Sequence, residues 1–124
     1  MGRKGNVMST RVRPGWESKR TDETRNVENS LLNHFKSVEA YRYNSASIRI
    51  RVIDPCFRGL DRHKREKIVD AKIAKLPESI QRDIVFVLCM TPDEMIKPIG
   101  DRDDTEALNS MFNDEFEHPK PSRL

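Results

Sequence analysis

A chain of 124 residues, 35 % hydrophobic and 35 % charged with a net charge of +3, is large enough for one modest domain and too small for two independent cores. No run approaches the roughly 20 apolar residues that span a bilayer, and the charged N-terminus lacks the apolar stretch of a secretory leader, so a cytoplasmic protein with no membrane association is expected. Cys56 and Cys89 form neither a metal motif nor a close redox pair, and the sequence gives no reason to expect a metal or other cofactor.

Residues 1–20 carry six basic and one acidic side chain, with Gly2, Gly5, Pro14 and Gly15 among them, the composition of a flexible basic arm. Trp16 is the exception, suited to anchoring the arm on the domain or to stacking on a base. A compact domain is expected over 21–97. It opens with a helix from Thr21 to Val38, capped by Thr21 or Asp22 and carrying Val27, Leu31, Phe35 and Val38 on one stripe, with His34 at its boundary. Tyr41 and Tyr43 then alternate around Arg42, and Ile48, Ile50 and Val52 alternate with Arg49 and Arg51. Strands over 38–43 and 47–53, joined through Asn44-Ser45, read as a hairpin. Asp54-Pro55 ends the second strand.

Gly59 frees the chain to turn into a helix over Leu60–Leu76, with Asp61 as N-cap and Val69, Ile73 and Leu76 as its apolar stripe. A short helical turn follows Pro77. Ile84–Met90 is apolar throughout and reads as a strand in which Cys89 acts as a small buried hydrophobe. Thr91-Pro92-Asp93-Glu94 starts another helix, with threonine as cap and acids at the positive end. Residues 98–124 read as an acidic, mobile tail with a short helix around Leu108, Met111 and Phe112. Between 93 and 118 nine acidic residues face two basic ones, a charge that can cover a basic surface or oppose phosphate binding.

Phe57-Arg58-Gly59-Leu60, Arg65-Glu66-Lys67-Ile68-Val69 and Thr91-Pro92-Asp93-Glu94-Met95 together resemble the BolA-like family over roughly residues 24–97. The resemblance implies an α+β fold with a three-stranded mixed sheet, helices packed on one face and the order α-β-β-α-α-β-α, similar to a type II KH-like domain. It also implies a monothiol glutaredoxin as partner. The chain departs from the family at the metal-ligand positions. Glu66 stands where the family's helix carries a histidine, His63 lies three residues earlier, and Asn44-Ser45-Ala46-Ser47 offers no soft ligand. Met95 replaces the family's tryptophan.

Two functions follow as expectations. The first is a non-enzymatic regulatory or nucleic-acid-binding module that binds RNA or DNA. Arg49, Arg51, Arg58, Arg62, Lys64, Arg65 and Lys67 would neutralise phosphates, and Tyr41 or Tyr43 would stack on bases. The alternative is a protein-interaction adaptor that binds a monothiol glutaredoxin or another protein without conventional iron-sulfur ligation, through Cys56, Phe57, Gly59, His63 and Glu66. Catalysis is not expected: Asp54, Asp61 and the His63/Glu66 pair lack an accompanying nucleophile, metal set or phosphate-cradling loop.

Overall fold

Thr21 and Thr24 set the first helix by a reciprocal pair of hydrogen bonds. The Thr24 N–H donates to Thr21 Oγ1 at 3.1 Å, and the Thr21 N–H donates to Thr24 Oγ1 at 2.9 Å. In the computed structural model, which describes residues 15–96 and 104–123, this helix, α1, spans Asp22–Leu31. It is shorter than its apolar spacing predicts. The Phe35 and His34 N–H groups turn back onto Leu31 O, so Phe35 enters the core from a turn and Val38 from the next strand. A spacing of four, four and three places all four side chains on one core without requiring one continuous helix.

The hairpin forms as expected. Strand β1 (Ser37–Asn44) runs antiparallel to β2 (Ser47–Ile53), with Ala40 opposite Ile50 and Tyr41 opposite Arg49. Asn44 makes the turn by accepting the Ala46 N–H on its side-chain oxygen at 2.8 Å, so no Asn-Gly pair is needed. A 3-10 turn at Pro55–Phe57 follows, and Gly59 adopts a φ of +79°, a conformation that a side chain would strain. Asp61 then caps helix α2 (Arg62–Ile73) by accepting the Lys64 N–H at 2.9 Å. The short α3 (Glu78–Asp83) leads into β3 (Ile84–Met90), which lies parallel to β2. Helix α4 (Pro92–Ile96) and helix α5 (Asp104–Glu117) complete the described elements.

The sheet is mixed, in the order β1-β2-β3. One face meets α1, α2 and α3 through Val27, Leu31, Val69, Ile73 and Ile80, which pack on Val38, Ala40, Ile48, Ile50 and Val52. This is the α+β arrangement that the pattern predicts. The segments read as an arm and a tail supply a second layer on the opposite face. Trp16, in a 3-10 turn at Gly15–Lys19, and Phe116 of α5 are buried with Tyr41, Leu88 and Met90. Burying a ring such as Phe116 contributes about 2–3 kcal/mol. Residues 1–14 of the arm, including Arg11 and Arg13, residue 97 at the end of the expected domain, and 98–103 and 124 of the tail lie outside the described residues.

Candidate functional site

Strand alternation sends Arg49 and Arg51 to the sheet face beneath α5. Arg51 is 3 % exposed. Its guanidinium donates to Glu39 Oε1 at 2.7 Å, to Asn113 Oδ1 at 2.6 Å and to Glu117 Oε2 at 2.5 Å, and lies 4.7 Å from the Phe116 ring centroid. Arg49 donates to Glu115 Oε2 at 2.9 Å and stacks 3.8 Å from the Tyr43 ring centroid. Burial alone would lower the Arg49 pKa, but its hydrogen bonds to Tyr41 and Glu115 outweigh that and raise it. Tyr41 is fully buried and donates its hydroxyl to Phe116 O at 2.8 Å; burial first of all raises its pKa. Tyr43 donates to Lys120 O at 2.6 Å. The four residues nominated on the strands therefore hold the C-terminal segment in place, and none presents an open phosphate or base site. Of the acidic residues that the sequence marks as able to cover a basic face, Glu115 and Glu117 cover Arg49 and Arg51.

The nominated helix residues divide between interior and surface. Arg65 is buried and makes a two-pronged pair with Glu94, both contacts at 2.8 Å, while also donating to Leu60 O at 2.8 Å and Cys89 O at 3.1 Å. Glu94 in turn accepts the Thr91 N–H at 3.1 Å, and the Glu94 N–H donates to Thr91 Oγ1 at 3.3 Å. One carboxylate thus completes the capping box of α4 and neutralises a cation from α2, so Arg65 ties α2, β3 and α4 together. Arg58, Arg62, His63, Lys64 and Lys67 remain on the surface, with Arg58 paired to Asp93 at 2.7 Å and Arg62 to Glu66 at 3.1 Å.

Among the residues nominated for protein contact, Phe57 is fully buried beside Phe35 and belongs to the core. Cys56, Gly59 and His63 are exposed, and Glu66 is half-buried. Both cysteines are free. Local burial, followed by the neighbouring Asp54, pushes the Cys56 thiol up to about 11, and burial, followed by Glu66, pushes Cys89 up to about 12. Neither is therefore an activated thiolate at neutral pH. Among the described residues, no group of three or more His, Cys, Asp or Glu side chains is placed to hold a metal ion, and no helix is long and apolar enough to cross a membrane.

A groove of about 310 Å3 runs along the outer edge of β3. Its floor is Ile84–Leu88, one wall is the row Arg62, Glu66 and Asp70 spaced one turn apart on α2, and the other is Phe112 of α5. Arg62 bridges the walls, with its guanidinium 4.6 Å from the Phe112 ring centroid. The Met90 carbonyl faces β2, where it accepts the Asp54 N–H at 2.9 Å. Alternation from Phe86 onward therefore turns the Val87 and Cys89 backbone outward. The Cys89 carbonyl is taken by Arg65; among the described residues, the outward Val87 N–H and C=O have no hydrogen-bond partner. The pairing shifts by one residue between Ile84 and Phe86, a bulge that leaves Val85 63 % exposed.

Of the groove residues, sequence reasoning nominated Arg62 and Glu66 and missed Asp70, Phe112 and the strand residues 84–88 as site residues. The i, i+4, i+8 spacing of Arg62, Glu66 and Asp70 was readable on α2. The position of β3 at the sheet edge was not, because an all-apolar strand reads as central. Compared with protein-family models, curated proteins and solved structures, the chain finds no match.

Proposed function

We propose that this protein is a protein-interaction module that docks a partner along the β3 edge, in the groove between α2 and α5. The observation that carries this reading is an edge strand with seven apolar residues, no charged residue and an outward Val87 N–H and C=O that have no hydrogen-bond partner among the described residues. Sheet edges are ordinarily blunted by charge, proline, bulges or a cover, and among the described residues only the two ends are treated, by the Val85 bulge and by Arg65 at Cys89. An extended segment supplies the missing hydrogen bonds through its backbone, places an apolar side chain against Val85 and Phe112, and meets the charged row on α2. The proposed activity is recognition rather than catalysis.

The test is a nuclear magnetic resonance titration with a soluble strand-forming peptide of alternating threonine and valine flanked by lysine and glutamate. Saturable shifts confined to Ile84–Leu88 and to Arg62, Glu66 and Asp70 are expected, and their loss in Val85→Lys. Shifts that never saturate, or that localise elsewhere, contradict the reading. On the strength of the BolA-like residues, a monothiol glutaredoxin is one natural protein to test on the same surface, and the exposed Cys56, Gly59 and His63 are further positions to follow.

A second reading keeps nucleic acid as ligand and moves its site. His63, Lys64 and Lys67 are exposed on the first two turns of α2, with Arg58 nearby in sequence, and these rather than Arg49 and Arg51 would meet phosphates. Salt-sensitive binding of short RNA or DNA that is lost in a Lys64→Glu, Lys67→Glu double variant supports it. Binding that is insensitive to that change, or absent, removes it.

A further inference from the structure

The charge row beside the open edge is arranged to complement itself. Helix α2 runs antiparallel to β3: Arg65 near its start reaches Cys89 near the end of the strand, while Asp70 and Ile73 line a cavity with Ile84 at the beginning of the strand. Along the groove, the positive Arg62 therefore lies toward the Leu88 end and the negative Asp70 toward the Ile84 end. A two-fold axis perpendicular to the strand reverses that polarity, so Arg62 of one copy meets Asp70 of the other at both ends of the contact. Glu66 falls near the axis, where its own Arg62, bonded to it at 3.1 Å, offsets the approach of the second Glu66.

We infer that the occupant of the β3 groove is a second copy of this chain, which rests on the strand-docking reading above and names its partner. With Val87 on the axis, each Val87 exchanges both backbone hydrogen bonds with its counterpart, the hydrogen-bonded pair of an antiparallel ladder. Phe86 then stands opposite the partner's Leu88. Val85 stands opposite the partner's Cys89, which removes from water a side chain that is 63 % exposed in one copy. The two three-stranded sheets become one six-stranded sheet with α2 against α2 across the axis. Among the described residues, only a short stretch between the Val85 bulge and the Arg65-capped Cys89 is open to pairing, so association is weak and concentration-dependent.

The register fixes the experiment, which is sedimentation equilibrium of the full chain over a wide concentration range. The expected result is a mass that climbs with concentration from 14.5 kDa toward twice that value. Asp70→Arg, which sets like charges against each other at both ends, weakens the dimer by roughly tenfold or more. Combining it with Arg62→Asp restores association, because the swapped charges again complement each other across the axis. Both positions are exposed on α2, and circular dichroism of each variant verifies the fold. A dimer indifferent to Asp70→Arg, or not rescued by the double exchange, places the contact elsewhere and overturns the proposal. A chain that stays monomeric throughout overturns it as well. In that case, saturable peptide shifts at Val87 leave strand docking standing with another partner, and their absence removes both.

Discussion

The two edges of the sheet are built from the same kind of backbone and finished in opposite ways. At the β1 edge, the Ala40 N–H donates to Glu28 Oε2 at 2.8 Å, and that buried carboxylate is held by Arg20 through contacts of 3.0 and 2.8 Å. A side chain of α1 thus stands where a neighbouring strand would pair. At the β3 edge, among the described residues, the equivalent closure reaches only Cys89, through Arg65, and stops before Val87. Ionised side chains can thus serve as edge caps, and where the cap ends early it leaves the strand edge to which the proposed partner would pair.

The largest effect is expected where a cap is also a buried ion pair. Arg65→Met removes the cation from a carboxylate that remains buried and costs about 3–5 kcal/mol in urea unfolding. A loss within the range of an exposed pair, under about 1 kcal/mol, would show that Arg65 does not close the end of the β3 edge. Next is Glu28→Ala, which strips the β1 edge of its acceptor and leaves Arg20 without this partner. A loss of about 1–3 kcal/mol is expected, together with faster exchange at the Ala40 amide.

Asp54 sits where β2 leaves the sheet and gives a pH-dependent contrast. Burial by itself would raise its pKa, but the Cys56 and Lys36 N–H groups, donating to its two oxygens at 2.8 Å each, outweigh burial and hold it below the ordinary 3.8. A carboxylate depressed in the folded state contributes stability above its unfolded pKa and loses that contribution as pH falls through the folded value. Asp54→Asn is therefore expected to cost about 1 kcal/mol near neutral pH, and the gap from the parent protein should close in acid. A gap that is constant between pH 7 and pH 2 would contradict this. The smallest effect is at the open edge: Val85→Lys changes monomer stability by no more than about 0.5 kcal/mol while abolishing association.

Much of this contrast could be read from the sequence, though unevenly. The capping residues Thr21, Asp61 and Thr91, the hairpin and the all-apolar β3 are local features, and each forms where its own residues place it. The limits of α1 were less legible because Phe35 and Val38 serve the same core whether helical or not. The engagement of Arg49 and Arg51 within the chain was hidden for a different reason. Alternation correctly puts Arg49 and Arg51 on the opposite face from Ile48, Ile50 and Val52, but only tertiary structure shows that α5 brings Glu115 and Glu117 to meet them. The sequence hinted at this through the charge reversal between its two ends, without indicating which arginines the acids would engage. Arg65 was similarly ambiguous, because the glutamate that neutralises it lies 29 residues away.

Residue-resolved amide hydrogen exchange at low and high protein concentration tests the central claim most directly. In dilute solution the Val87 amide is expected to exchange far faster than the Ala40 amide, which Glu28 protects, and Val87 is expected to become protected as concentration rises while Ala40 does not change. Equal protection of Val87 and Ala40 at the lowest concentration would contradict it, because the β3 edge would then already be closed within a single chain.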